Sequence, residues 1–145
     1  MEIYTIGFTQ KSAAEFFGAL KANGIQRLVD VRLNNVSQLA GYSKRDDLQF
    51  FLRSILDAGY VHEPSLAPEA ETLKAYRDRQ IDWPEYERRY LALLESRHVE
   101  TMLERALFEF RTVLLCSEPT HDMCHRRLIV EYLDRKWGDV RAIPL

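Results

Sequence analysis

Apolar positions along the chain change period several times, and each change marks an element. Ile3–Ile6 is a short apolar run closed by Gly7, the mark of a buried strand. Ser12 and Glu15 then form a capping box. Phe16, Phe17 and Leu20 follow at helical spacing, and Gly24 supplies a stop. Leu28–Val31 is a second β-branched strand. Residues 34–42 are polar and read as a loop. A helix is predicted from about Lys44 to Ala58, with Leu48, Phe51, Leu52, Ile55 and Leu56 on its apolar face and Gly59 ending it.

Tyr60–His62 reads as a brief strand, and Pro64 and Pro68 as a turn into further helix. From about Pro68 to Phe110 the pattern is helical, interrupted near Asp82-Trp83-Pro84 and near Ser96. Asp82 is the expected cap, with Pro84 in the first turn. A strand at Val113–Leu115, a loop over residues 116–124, a helix to about Trp137 and a last strand near Val140–Ile143 complete the chain. Strands alternating with helices predict an α/β domain over residues 1–145. Its mostly parallel sheet has about four to five strands, helices on both faces and a helical insertion in the middle.

The bulk composition narrows the function classes. The 145 residues are 46% apolar and 29% charged, an ordinary globular balance. The net charge of −2 gives no electrostatic reason to expect nucleic acid or a membrane as a general partner. The Met1-Glu2-Ile3-Tyr4 start lacks the pattern of a secretory signal, and no apolar run reaches membrane-spanning length. The two cysteines, Cys116 and Cys124, are not a secreted disulfide framework. The expected location is the cytoplasm. No internal repeat, phosphate-binding glycine loop, dinucleotide fingerprint or Gly-x-Ser-x-Gly elbow is present. The loop after Cys116 lacks glycine and Arg126 lies ten residues on, a poor fit to thiol phosphatases.

In parallel sheets ligands bind beyond the strand C-termini, so chemistry is sought at three tips: Gly7-Phe8-Thr9, Asp30-Val31-Arg32 and Cys116-Ser117-Glu118. Thr120 or Asp122 is the expected cap of the following helix. His125, Arg126 and Arg127 then fall near its first turn, where cations are disfavoured. Their presence points to a compensating anion, either a bound phosphate, sulfate or carboxylate or an internal partner such as Asp30 or Glu118.

Three readings of the cysteines stand. Both are buried packing thiols, or Cys116 is a reactive thiolate, or Cys116, His121, Cys124 and His125 hold a metal, at a spacing unlike standard structural zinc sites. His62 sits where it could reach the same crevice. His98 reads as a surface residue, and Trp83 and Trp137 as packing anchors.

These residues resemble the family known as domain of unknown function 488 over nearly the whole chain. The resemblance is carried by Tyr4-Thr5-Ile6-Gly7, Leu28-Val29-Asp30-Val31-Arg32 and Tyr60-Val61-His62. Leu114-Leu115-Cys116-Ser117-Glu118 with Cys124-His125-Arg126 is its most specific block. It implies a compact α/β domain that is an enzyme or a metal or anion binder, using Asp30, Arg32, Cys116, Glu118, Cys124, His125 and Arg126. This chain departs from the usual Gly-His-Ser at Gly7-Phe8-Thr9, which puts in doubt any essential role for that histidine.

The expected function is therefore a cysteine-dependent enzyme acting on a small anionic or phosphate-bearing substrate. Cys116, His125 and Asp30 would be catalytic. Gly7, Thr9, Arg32, Glu118 and Arg126 would bind the anion, with His62 and Cys124 as further candidates. A noncatalytic nucleotide- or anion-binding module and a metal-binding protein are the alternatives. No cofactor is identified, and no substrate or oligomeric state is specified.

Overall fold

A computed structural model describes residues 1–36, 41–116 and 123–145. Five strands form one wholly parallel sheet in the order β3-β2-β4-β1-β5. They are β1 (Glu2–Gly7), β2 (Arg27–Asp30), β3 (Gly59–His62), β4 (Thr112–Cys116) and β5 (Arg141–Pro144). All five residues of β4 are buried, as expected of a central strand covered on both faces.

The first helix, α1 (Ala13–Ala22), starts as its capping box requires. Ser12 Oγ accepts from the Glu15 amide at 3.1 Å, while the Ser12 amide donates to the Glu15 carboxylate. The second, α2 (Arg45–Phe51), continues into a π-helical turn at Leu52–Leu56. Gly59 does not end it. Asp57 takes the left-handed conformation, φ 54°, and stops the helix, which releases Gly59 to open β3. A short aspartate side chain tolerates that conformation better than most residues.

The helical middle comprises α3 (Ala70–Arg77), α4 (Trp83–Ser96) and one turn, α5 (Val99–Met102). Asp82 caps α4 through the Glu85 amide at 3.0 Å, with Pro84 in the first turn. The last helix, α6 (His125–Trp137), ends at Gly138 with φ 80°, where a Cβ would be strained. Its cap position is held by Cys124, rather than by Thr120 or Asp122, which lie outside the described residues.

Strand alternation divides the core in two. Leu28, Val113 and Leu115 pack with α1 and α2, whereas Val29, Leu114 and Cys116 pack with α4 and α6. Trp83 and Trp137 pack partly buried against the second cluster, and His98 is exposed. No helix among the described residues is long and apolar enough to cross a membrane.

The topology locates a crevice. From β2 the chain leaves through α2 toward the β3 edge, on one face. From β4 it leaves through α6 toward β5, on the other. Adjacent strands whose connections diverge in this way open a cleft beyond their C-termini. Asp30 is level with Leu115, and Gly7 is level with Cys116, so the tips of β2, β4 and β1 lie side by side.

Candidate functional site

The β2 tip is built around a buried ion pair. Strand β2 ends at Asp30, and the chain turns so that Arg32 folds back onto it. The Arg32 Nε and Nη2 groups each donate to the Asp30 carboxylate at 2.8 Å, and the Arg32 amide donates to it at 3.1 Å. Both side chains are essentially inaccessible, at 2% and 0%. Asp30 and Arg32 therefore meet on one side of the β2 tip.

Three further residues hold this pair. Tyr60 donates its phenol to Asp30 at 2.6 Å, and Asn35 donates to the Tyr60 oxygen at 3.1 Å. Burial, then the hydrogen bond to the Asp30 carboxylate and its charge, raise the Tyr60 phenol well above its ordinary range, so it remains a neutral donor. His62 Nε2 donates to the Arg32 carbonyl at 3.1 Å. This sets the position of the Arg32 backbone and occupies that nitrogen. The Arg32 guanidinium carbon lies 5.4 Å from the centre of the Phe8 ring.

The sulfur cluster lies across the β4 tip. Alternation puts Cys116 on the α4–α6 side of the sheet, opposite to Asp30. Cys116 and Cys124 are paired as a disulfide. The α6 cap lies directly over the β4 tip, which brings the two sulfurs together. Arg126, 1% exposed, donates from Nη1 to Cys116 Sγ at 2.9 Å. Among the described residues Arg126 does not pair with Asp30, whose carboxylate is held by Arg32 and Tyr60. Arg127 points outward to Glu87 and Glu131.

His125 joins the two halves. Its Nε2 lies 3.0 Å from the Val31 carbonyl, which can only accept, so Nε2 carries a proton. The other nitrogen, Nδ1, is 4.0 Å from Cys124 Sγ. The Tyr90 ring packs edge-on against the imidazole, with centroids 5.5 Å apart. The residue that accepts from His125 thus stands between Asp30 and Arg32.

Tyr42 and Lys11 line the β1 side. Tyr42 donates to the carbonyls of Phe8 and Lys11, at 3.1 and 2.8 Å, and its phenol is raised by burial and then by Glu15. Burial, with the charge of Arg126 second, lowers the Lys11 ammonium, against an opposing pull from Glu15. The field of Arg126 therefore reaches the β1–α1 turn.

Of the predicted site residues, Gly7 is beside Cys116, Thr9 is exposed on the β1–α1 turn, and Glu118 lies outside the described residues. His121, named with the metal reading, lies outside them too. Tyr60, Asn35, Tyr42 and Lys11 were not singled out by sequence. Tyr60 carries a usable signal, since it is two residues before His62 and so shares its face. Asn35 carries none.

Cys116, Cys124 and His125 could also hold a metal. Their ligand atoms all lie within 4.8 Å of one another, and all three residues are buried. Two thiolates and one imidazole suit a soft divalent ion, and a ring N–H donated to a backbone carbonyl is a usual support for such a histidine. With the disulfide closed, the sulfurs lack the anionic form a metal requires.

A family model described as domain of unknown function DUF488 matches residues 12–133. The match spans the Asp30–Arg32 pair, Tyr60, His62 and the Cys116–Arg126 segment, and begins after the Gly7-Phe8-Thr9 tip. No curated protein and no solved structure matches the chain.

Proposed function

The chain belongs to the DUF488 family, and from that premise we propose that it is a cysteine-dependent enzyme acting on a small anionic or phosphate-bearing substrate at the C-terminal edge of the sheet. The contact that supports this most directly is the 2.9 Å hydrogen bond from Arg126 to Cys116 Sγ. A guanidinium against a buried sulfur favours its thiolate.

The disulfide is the resting oxidised state in this reading. A thiol reductant attacks Cys124 Sγ, the bond between the sulfurs breaks, and its electron pair stays on Cys116, facing Arg126. A second reductant thiol resolves the mixed disulfide, leaving both cysteines reduced and the reductant oxidised. The Cys116 thiolate then bonds to the electrophilic atom of the substrate, whose leaving group departs with its bonding pair. His125, whose Nδ1 lies 4.0 Å from Cys124 Sγ, takes the proton released by the attacking reductant thiol and gives it to that leaving group, and water then cleaves the Cys116 adduct to return the thiol. Asp30 is committed to Arg32 and Tyr60, and acts as a positioning residue.

Alkylation of the reduced Cys124→Ser protein by iodoacetamide over a pH series tests this. The expected Cys116 pKa is below the ordinary thiol value of about 8.5, and Arg126→Gln raises it. An ordinary pKa insensitive to Arg126 removes the reading.

A metal-binding role is the second reading, supported by the mutual approach of Cys116, Cys124 and His125. Reduced protein purified without chelator should then carry about one zinc-type ion per chain. A stoichiometry near zero dismisses it.

A further inference from the structure

Arg32 is held by more contacts than a structural ion pair needs, and one of its edges is left over. Nε and Nη2 face the Asp30 carboxylate, whose remaining capacity is taken by the Arg32 amide and the Tyr60 phenol. Asn35 fixes Tyr60, and His62 fixes the Arg32 carbonyl. The guanidinium therefore cannot swing to another partner. Its Nη1, fully buried, has no hydrogen-bond partner among the described residues.

A guanidinium presents two bidentate edges. Asp30 uses the Nε/Nη2 edge, and the Nη1/Nη2 edge remains with donors fixed in a plane. Leaving a buried charged donor dry is unfavourable, and such a group calls for a partner, an ordered water or a bound ion among them. Water is a poor match for two parallel donors, whereas two oxygens of one oxyanion match them. Asp30 already neutralises the charge of Arg32, so the local field for an anion comes from the neighbouring cations. Lys11 lies in the turn beyond Phe8, the ring beneath Arg32, and feels the charge of Arg126.

We propose that the buried Nη1/Nη2 edge of Arg32 is an oxyanion subsite that takes a phosphate-type group side-on, with Asp30, Tyr60, Asn35 and His62 as the frame that aims it. It lies on the α1–α2 side of the β2 tip, across Val31 from the sulfurs. A substrate held there spans the crevice toward Cys116. The subsite rests on the thiol reading only for the molecule that carries the oxyanion.

Inorganic phosphate is the probe, titrated into the full chain against sodium chloride at matched ionic strength, with sulfate and acetate as parallel arms. Thermal unfolding should shift upward and saturate with phosphate but not with chloride. Sulfate giving the same shift identifies a general oxyanion site, and acetate giving it identifies a carboxylate site. Arg32→Lys keeps the charge but loses the fork, and should weaken phosphate binding about tenfold or more. Amide shifts in the wild-type chain provide a readout that does not depend on that variant folding. Phosphate should move Phe8, Arg32 and Asn35.

Cys116→Ser should keep the phosphate shift. A phosphate shift kept in Cys116→Ser beside an ordinary thiol pKa leaves the subsite standing and ends the thiol reading. No saturable shift with any oxyanion, an unchanged affinity in Arg32→Lys, or amide shifts confined to α6 would overturn the subsite.

Discussion

The Asp30 carboxylate and the Arg32 guanidinium meet at two points, 2.8 Å each, although only Val31 separates them in sequence. A continuing strand would send both side chains to the same face but along the sheet, too extended to meet so closely. Ending β2 at Asp30 lets the chain curl and close the pair, while the Val31 carbonyl between them accepts from His125. The Asp30–Arg32 pair and the sulfur-bearing cap of α6 are thereby tied to one short segment.

Removing one member of that pair should be costly. Asp30→Asn leaves a buried cation without its counter-ion, and a loss of about 3–5 kcal/mol is expected in urea unfolding at neutral pH. Replacing both by apolar residues, Asp30→Leu with Arg32→Met, should cost less than Asp30→Asn alone. A double variant weaker than the single one would show that the pair itself adds net stability.

The Tyr60 phenol gives a pH signature. Burial and the Asp30 carboxylate raise its folded-state pKa above the unfolded value near 10. The folded chain then holds this proton more tightly than the unfolded one. Its contribution is complete below about pH 10 and is lost as the pH rises beyond it. Tyr60→Phe should make the alkaline decline in stability shallower. At neutral pH it should cost about 1.5–3 kcal/mol for the hydrogen bond to a charged group. Equal alkaline slopes in both proteins would contradict the assignment.

Reduction should weaken the fold modestly. Cys116 and Cys124 are eight residues apart, and closing so short a loop stabilises by about 2–3 kcal/mol through the unfolded chain. The urea midpoint of the oxidised protein should fall when a phosphine reductant is added. Cys124→Ser should show no such response. An identical wild-type midpoint with and without reductant would mean that the sulfurs are not bonded in solution.

Two adjacent arginines should behave very differently. Arg127 makes partly exposed pairs with Glu87 and Glu131, and Arg127→Ala should cost less than about 1 kcal/mol. Arg126 is buried against Cys116, and Arg126→Ala should cost about 2–4 kcal/mol, combining a cavity with a stranded sulfur environment. Chemical denaturation of the two variants side by side checks the ratio.

Much of this architecture was written locally. The β-branched runs located β2 and β4, and Ser12 with Glu15 and Asp82 with Pro84 set the starts of α1 and α4. Each of these depends on residues within a turn or a strand of one another, so period and capping chemistry suffice to read them. The three strand tips, and with them Asp30, Arg32 and Cys116, were legible for the same reason. What the order of residues left open was every relationship between distant segments. Insertion of β4 between β2 and β1, the α6 cap lying over Cys116, and Tyr60 reaching Asp30 all follow from strand pairing across long loops. A period of two assigns a side chain to a face without naming the strand beside it. Neighbour choice is settled by packing of the whole core, and only that packing brought the guanidinium of Arg126 to sulfur and left the buried Nη1 of Arg32 without a partner among the described residues.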